Sequence, residues 1–157
     1  MSPSLRNEIK QTKPFASLEA EAHLNIERTA AVIGHAVGEG LKPFGVTPTQ
    51  YNVLRILRGA GEKGLCRNEV RDRLVAQVPD VTRLLDRLEA LGYIARERSS
   101  ADRRLVSTRI TPAGLQILEQ LEQPVLEMHA RLLGHLSKEQ LMTLIDLLTL
   151  ARESAGQ

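Results

Sequence analysis

Four places in this 157-residue chain carry the residue pattern that starts a helix, and their spacing restricts the fold more than any other feature. Thr47-Pro48-Thr49-Gln50 sets a capping threonine before a proline and a glutamine. Cys66-Arg67-Asn68-Glu69 repeats the layout with cysteine in the capping slot, and Ser137-Lys138-Glu139-Gln140 repeats it with serine. Thr111-Pro112 supplies a cap and a proline at the first helical position. In such a box the first side chain accepts a backbone N–H of the first turn, and the Glu or Gln reaches back to the capping residue's own N–H. Proline there loses no helical hydrogen bond. Helices are therefore expected to begin near 48, 67, 112 and 138.

Apolar periodicity fills in the rest. Ala22, Ile26, Ala30, Ile33, Val37 and Leu41 recur at helical spacing from Ser17 to about Leu41, where Lys42-Pro43-Phe44-Gly45 breaks the helix. Gly34 and Gly38, one turn apart, would admit a second helix closely. The helix after Thr47 runs through Tyr51, Leu54, Ile56 and Leu57 to Gly59-Ala60-Gly61, and a short helix from Cys66 ends at Leu74. Another begins near Pro79 and carries Val81, Leu84, Leu85, Leu88 and Leu91 to Gly92. Tyr93–Arg98 and Arg104–Ile110 read as two strands around Ser99-Ser100-Ala101-Asp102. Leu115, Leu118, Leu121, Val125 and Leu132 stripe the next helix, and Leu141, Leu144, Ile145 and Leu148 the last. Residues 1–16, polar with Pro3 and Pro14, read as a flexible arm or a partner-dependent extension. A helix-turn-helix followed by a hairpin is a winged helix, so the expected class is mainly α. The length suits one domain, with a winged lobe at 46–111 between helical regions at 17–45 and 112–157.

Composition agrees. With no Trp, two Phe, two Tyr and 25 Leu, the core must be aliphatic. The single cysteine excludes an internal disulfide and suits a reducing compartment. Met1-Ser2-Pro3-Ser4 does not open a secretory signal, and no run approaches the ~20 apolar residues of a membrane span. A cytoplasmic protein without membrane partners is expected.

Charge points to a partner. Twelve arginines fall between Arg55 and Arg109; that window holds 13 basic and 8 acidic residues, against 8 basic and 11 acidic elsewhere. A concentrated guanidinium field steers polyanions and forks onto phosphates and guanine edges.

Several stretches, in the correct order, resemble the MarR family of bacterial transcriptional regulators: Val46-Thr47-Pro48-Thr49-Gln50-Tyr51-Asn52-Val53-Leu54, Val81-Thr82-Arg83-Leu84-Leu85-Asp86-Arg87-Leu88-Glu89, Gly92-Tyr93-Ile94-Ala95-Arg96, and Asp102-Arg103-Arg104 leading to Ile110-Thr111-Pro112-Ala113-Gly114. The resemblance spans residue 17 to about 150. It implies a homodimer in which the helices of 17–41, 112 onward and 137 onward interlock. It also implies two winged lobes on a near-palindromic duplex, and release by a small lipophilic or phenolic effector. The chain departs from the family pattern in the turn Val75-Ala76-Gln77-Val78, where glycine usually comes first, and in opening the recognition helix with Pro79-Asp80.

On this reading Thr82 and Arg83 meet base edges, Arg83 forking to guanine and Thr82 touching a phosphate or a thymine methyl. Asp80 is either a helix-dipole partner or an acceptor from cytosine. The alternative for each is a solvated charged face. Arg87, close in sequence to Asp86 and Glu89, reads as an internal salt-bridge partner. The family's D-x-R element maps onto Asp102 and Arg104 with Arg103 between them, an arrangement suited to a narrow minor groove. Arg96, Arg98 and Arg109 would line the flanks for phosphates.

Cys66 faces a helix start, which would favour a reactive thiolate, yet most lone cysteines are small buried hydrophobes. The structural role is preferred over redox sensing. His23, His35, His129 and His135 show no metal-ligand spacing; a zinc site or an effector-pocket lining was the alternative use. No phosphate loop, nucleophile elbow or H-E-x-x-H pattern is present, so neither catalysis nor a cofactor is expected. The competing classes are a winged-helix protein-interaction module, a cysteine-based redox sensor of the same fold, and a small helical enzyme.

Overall fold

The computed structural model describes residues 4–98, 102 and 104–155. The chain divides into two compact units, Met1–Pro48 and Thr49–Gln157.

The first unit holds α1 (Leu5–Glu8) and α2 (Leu18–Leu41). Ser17 caps α2, its hydroxyl accepting the Ala20 N–H at 3.1 Å. Where the sequence shows no sustained period, residues 4–16 contain a helical turn with Leu5 buried. The Arg6 guanidinium donates to the carbonyls of Gln11 and Thr12. The α2 stripe is largely uncovered: Ala22, Ile26 and Ala30 are exposed, Ile33 and Val37 half-buried, and Leu41 buried. Among the described residues no atom lies within 4 Å of a Cβ added on Gly34. A 3-10 turn over Lys42–Phe44 ends the helix at Gly45, whose φ is 72°.

The second unit contains nearly all of α3 (Pro48–Ala60), then α4 (Arg67–Arg73), α5 (Val81–Ala90), β1 (Ile94–Arg98), β2 (Val106–Ile110), α6 (Pro112–Leu133) and α7 (Lys138–Ala155). Each helix predicted from a box starts within a residue of its expected position. Thr111 Oγ1 accepts the Gly114 N–H at 3.2 Å. At α7 the Gln140 N–H donates to Ser137 Oγ at 3.2 Å, while the Gln140 side chain accepts the Ser137 N–H at 2.8 Å.

The core of this unit is aliphatic. Val53, Leu54 and Leu57 of α3 are fully buried, as is Val70 of α4, and Leu85 and Leu88 of α5 are nearly so. Leu118, Leu121, Val125 and Met128 of α6 are buried as well, and the helix continues through Pro124. Burial on both sides of that proline outweighs the one main-chain hydrogen bond it removes.

The hairpin pairs β1 and β2 antiparallel, from Ile94 opposite Ile110 to Arg98 opposite Val106. Leu65 adds a bridge that the sequence did not disclose, exchanging both main-chain hydrogen bonds with Thr108 at 2.9 and 2.8 Å. Gly64 makes this approach possible. Its φ is 65°, and a Cβ would lie 2.7 Å from the Thr108 carbonyl oxygen. Gly114 has the same function at the start of α6, where a Cβ would sit 2.7 Å from Ile110 Cγ1 and collide with the Tyr93 carbonyl. Among the described residues no helix is long and apolar enough to cross a membrane, and no buried side-chain nitrogen or oxygen lacks a partner.

Candidate nucleic-acid interface

The turn between α4 and α5 explains why glycine is dispensable there. Leu74 leaves α4 extended, with φ −65° and ψ 136°, and Val75, where glycine is usual, stays out of the left-handed region, since among the described residues Lys10 is the non-glycine with positive φ. The next N–H, that of Val75, donates to Asn52 Oδ1 on α3 at 2.9 Å. Asn52 lies inside the motif quoted above, but its role needs the tertiary placement of α3. Asp80 then caps α5, its carboxylate accepting the Arg83 N–H at 2.9 Å. This cap matches the helix-end role considered for Asp80.

Helix α5 turns Val81, Leu85 and Leu88 inward. Thr82, Arg83, Asp86 and Arg87 lie on the exposed side, at the i, i+1, i+4, i+5 spacing that defines one helical face. The Thr82 hydroxyl accepts from Arg67 Nη1 of α4 at 3.2 Å, which ties the two helices at their N-terminal ends.

Two arginines pair differently from the sequence reading. Arg87 was expected to pair with Asp86 and Glu89, but residues one and two apart on a helix do not face each other. Arg87 is exposed and has no ion-pair partner among the described residues. Arg96, expected on phosphates, reaches back from β1 to those same carboxylates instead. Its Nη2 donates to Asp86 Oδ1 at 2.6 Å and its Nε to Glu89 Oε2 at 3.1 Å. Its backbone N–H donates to Glu89 Oε1 at 3.2 Å. Hydrogen bonds from Arg96 hold the Glu89 carboxyl below its ordinary range, and Glu89 likewise raises the Arg96 guanidinium. The Arg96 side chain keeps only 23% of its exposure. Carboxylates of α5 thus take the Nε and Nη2 donors of this guanidinium.

The hairpin separates the other arginines. Side chains alternate along a strand, so Arg96 and Arg98 share one face of the ribbon and Arg109 belongs to the other. There Arg109 Nη1 lies 3.9 Å from Glu97 Oε2. Arg98 is exposed beyond Arg96. In the connection between β1 and β2 the Asp102 carboxylate accepts the backbone N–H of Arg104 at 2.9 Å, and its carbonyl accepts from Leu105 at 3.0 Å. Asp102 therefore shapes the main chain that carries Arg104. Arg103 lies outside the described residues.

A cleft of about 330 Å³ gathers Cys66, Arg67, Thr82, Arg96 and Arg104 over an apolar floor that includes Leu85 and Val106. Cys66 is half-buried at the N-cap of α4, and its backbone N–H donates to Glu69 Oε2 at 2.8 Å as the box predicts. That bond, first among the causes, holds the Glu69 carboxyl below its ordinary range. Among the described residues no group of three or more His, Cys, Asp or Glu side chains is placed to hold a metal.

Comparison with known proteins agrees with this geometry. The MarR family profile matches residues 44–105, from the end of the 3-10 turn to the last residue before β2. The multiple antibiotic resistance protein MarR of Salmonella typhimurium is 36% identical over 109 residues, covering 69% of this chain and 74% of the relative. The transcriptional repressor MdtR of Bacillus subtilis is 29% identical over 130 residues, 83% of each chain. Among solved structures, a MarR transcription factor from Planctomyces limnophilus superposes with a TM-score of 0.68 at 40% identity, covering 87% of this chain and 99% of that one. A mutant MarR from E. coli complexed with operator DNA gives 0.76 at 27% identity, covering 95% and 99%. The winged helix-turn-helix and these relatives together place the chain in the MarR family of transcriptional regulators.

Proposed function

We propose that the protein is a homodimeric, sequence-specific DNA-binding repressor whose hold on its operator is released by a small effector. The observation that carries this reading is the exposed face of α5, where Thr82, Arg83 and Arg87 stand together, with Arg104 of the wing turn across the cleft. Arg83 and Arg87 suit the major groove, where a forked guanidinium reads guanine. Arg104, with Arg103 beside it in sequence, suits the minor groove and its phosphates, and Arg98 an adjacent phosphate. Asp80 contributes by capping α5 and orienting its first turn. The structure of a relative on operator DNA and the repressor name of another support both the ligand and the sign of regulation.

Dimerisation is supported by apolar surface that each unit leaves uncovered. In the second unit Leu126 of α6 and Ile145, Leu147 and Leu150 of α7 are at least 60% exposed. In the first, Ile26 and Val32 of α2 stand open. Exposed apolar surface of this extent on a helical protein calls for a partner, and a second copy gives a twofold operator with half-sites about one helical turn apart. A small lipophilic or phenolic effector fits the cleft, where apolar side chains lie beside the guanidinium groups of Arg67 and Arg104.

The test is selection of bound genomic fragments, followed by titration of the selected and a scrambled duplex across a salt series. Steep salt dependence with preference for the selected site is expected. Equal, weak binding to both would favour a protein-interaction module instead.

A further inference from the structure

We infer that Arg96 is a positioning residue for DNA binding: it neutralises the two acidic side chains of the recognition helix and fastens the wing strand to that helix. This rests on the DNA-binding function proposed above.

Asp86 and Glu89 are the acidic residues within Val81–Ala90. Asp86 occupies the same exposed face as Thr82, Arg83 and Arg87, the face offered to a polyanion. Left alone, an ionised carboxylate there would repel phosphates in the region where the cations attract them. Arg96 is placed to prevent this. Its fork donates to Asp86 at 2.6 Å and to Glu89 at 3.1 Å, and its backbone N–H donates to Glu89 at 3.2 Å. One residue of β1 thus takes up carboxylates from consecutive parts of α5, through side chain and main chain together. The geometry needs the planar, multi-donor guanidinium; a lysine ammonium has the charge without the fork.

The clamp also joins the two elements that must engage DNA simultaneously. β1 leads into the wing and α5 carries Arg83, so their mutual angle decides whether major-groove and wing contacts form on one duplex. Arg104, by contrast, is exposed. The two residues should therefore fail in different ways.

The experiment is a mutant cycle on full-length dimer, measuring binding to selected and scrambled duplexes over a salt series below the unfolding temperature of every variant. Arg96→Ala should weaken operator binding about 3–100-fold, the range of coupled networks. It should largely retain the salt slope, whereas Arg104→Ala should flatten the slope by about one unit. Adding Asp86→Asn and Glu89→Gln to Arg96→Ala should restore much of the loss. The same pair in the wild-type background should gain nothing, because it breaks the clamp. Arg96→Lys should fall between wild type and Arg96→Ala. If Arg96 instead contacts a phosphate, the carboxylate substitutions free it and strengthen the wild type, and they do not rescue Arg96→Ala; that result overturns the inference. Equal effects of the pair in both backgrounds overturn it as well. Amide hydrogen exchange of β1 in the free protein separates this failure from failure of the DNA-binding reading. Arg96→Ala should speed exchange across Ile94–Arg98 whether or not any duplex binds, and unchanged exchange refutes the clamp on its own.

Discussion

Helices α5 and α7 carry the same kind of apolar stripe and use it in opposite ways. In ten residues α5 buries Val81, Leu85 and Leu88 inside its own unit, and its carboxylates are taken up by Arg96. Helix α7, eighteen residues long, buries none of its described side chains; Leu141 and Leu148 are half-buried and the others described are exposed. Periodicity states that a helix has an apolar face and not what covers it. For α5 the cover is the folded lobe, and for α7 the proposed cover is another copy.

The largest effect that would break this contrast is on association. Ile145→Asp combined with Leu147→Asp removes two apolar side chains from the proposed dimer face, about 3–6 kcal/mol or ~10²–10⁴-fold in dimer dissociation constant. Sedimentation should show monomer where wild type is dimer. A variant that stays dimeric, or a wild type that is a stable monomer, removes α7 from the interface. Next, Leu88→Ala in α5 should lower unfolding stability by about 2–5 kcal/mol, with the spread set by how well the site collapses. Denaturant titration measures this, and a loss comparable to a surface substitution would mean α5 is no better packed than α7.

The exposed side of α5 gives smaller changes, seen in recognition. Arg83→Ala should cost about 1–3 kcal/mol on the operator and narrow its advantage over scrambled duplex at one base per half-site. A uniform loss on both duplexes would make Arg83 a phosphate contact instead. Glu89 adds a pH signature. Its folded carboxyl is held below the ordinary range by Arg96, so its contribution is fully present above the unfolded value of about 4.3 and is lost as pH falls through the folded one. The stability gap between wild type and Glu89→Gln should stay constant from neutral pH into mild acid and close below it. A gap that varies near neutrality would require another titrating group.

The smallest effect is expected at Cys66. Cys66→Ser keeps the Glu69 half of the box and offers a better capping oxygen, so stability should change by about 1 kcal/mol or less with DNA binding intact. Release of wild type by peroxide, with the serine variant still bound, would show that the thiol acts as a sensor.

Helix starts were legible because capping is local: donor and acceptor sit three residues apart, and Ser137-Lys138-Glu139-Gln140 forms the reciprocal pair its residues announce. The hairpin was legible from its turn. The exposed position of Thr82 and Arg83 followed from the period of the Val81, Leu85 and Leu88 stripe. The Leu65 bridge was not legible, since a single residue has no period and its partner lies 43 positions away. Asn52 gave no signal either, because its partner Val75 lies in the turn after α4, 23 positions away.

The sequence by itself determined where the capped helices begin, which helix faces are apolar, and that the basic charge gathers on the winged lobe. All of these depend on interactions within a few residues or on simple counts. It missed the turn at Leu5–Glu8 and began the second strand at Arg104 rather than Val106. Only the tertiary structure decided which charges remain available to a partner. Arg87 and Arg96 are both arginines near Asp86 and Glu89 in sequence, and proximity favours Arg87. The helical geometry turns Arg87 away from them, and the hairpin brings Arg96 back across α5. Charge pairing depends on distance in space, and that distance is set by the packing of β1 on α5, which a linear pattern does not record.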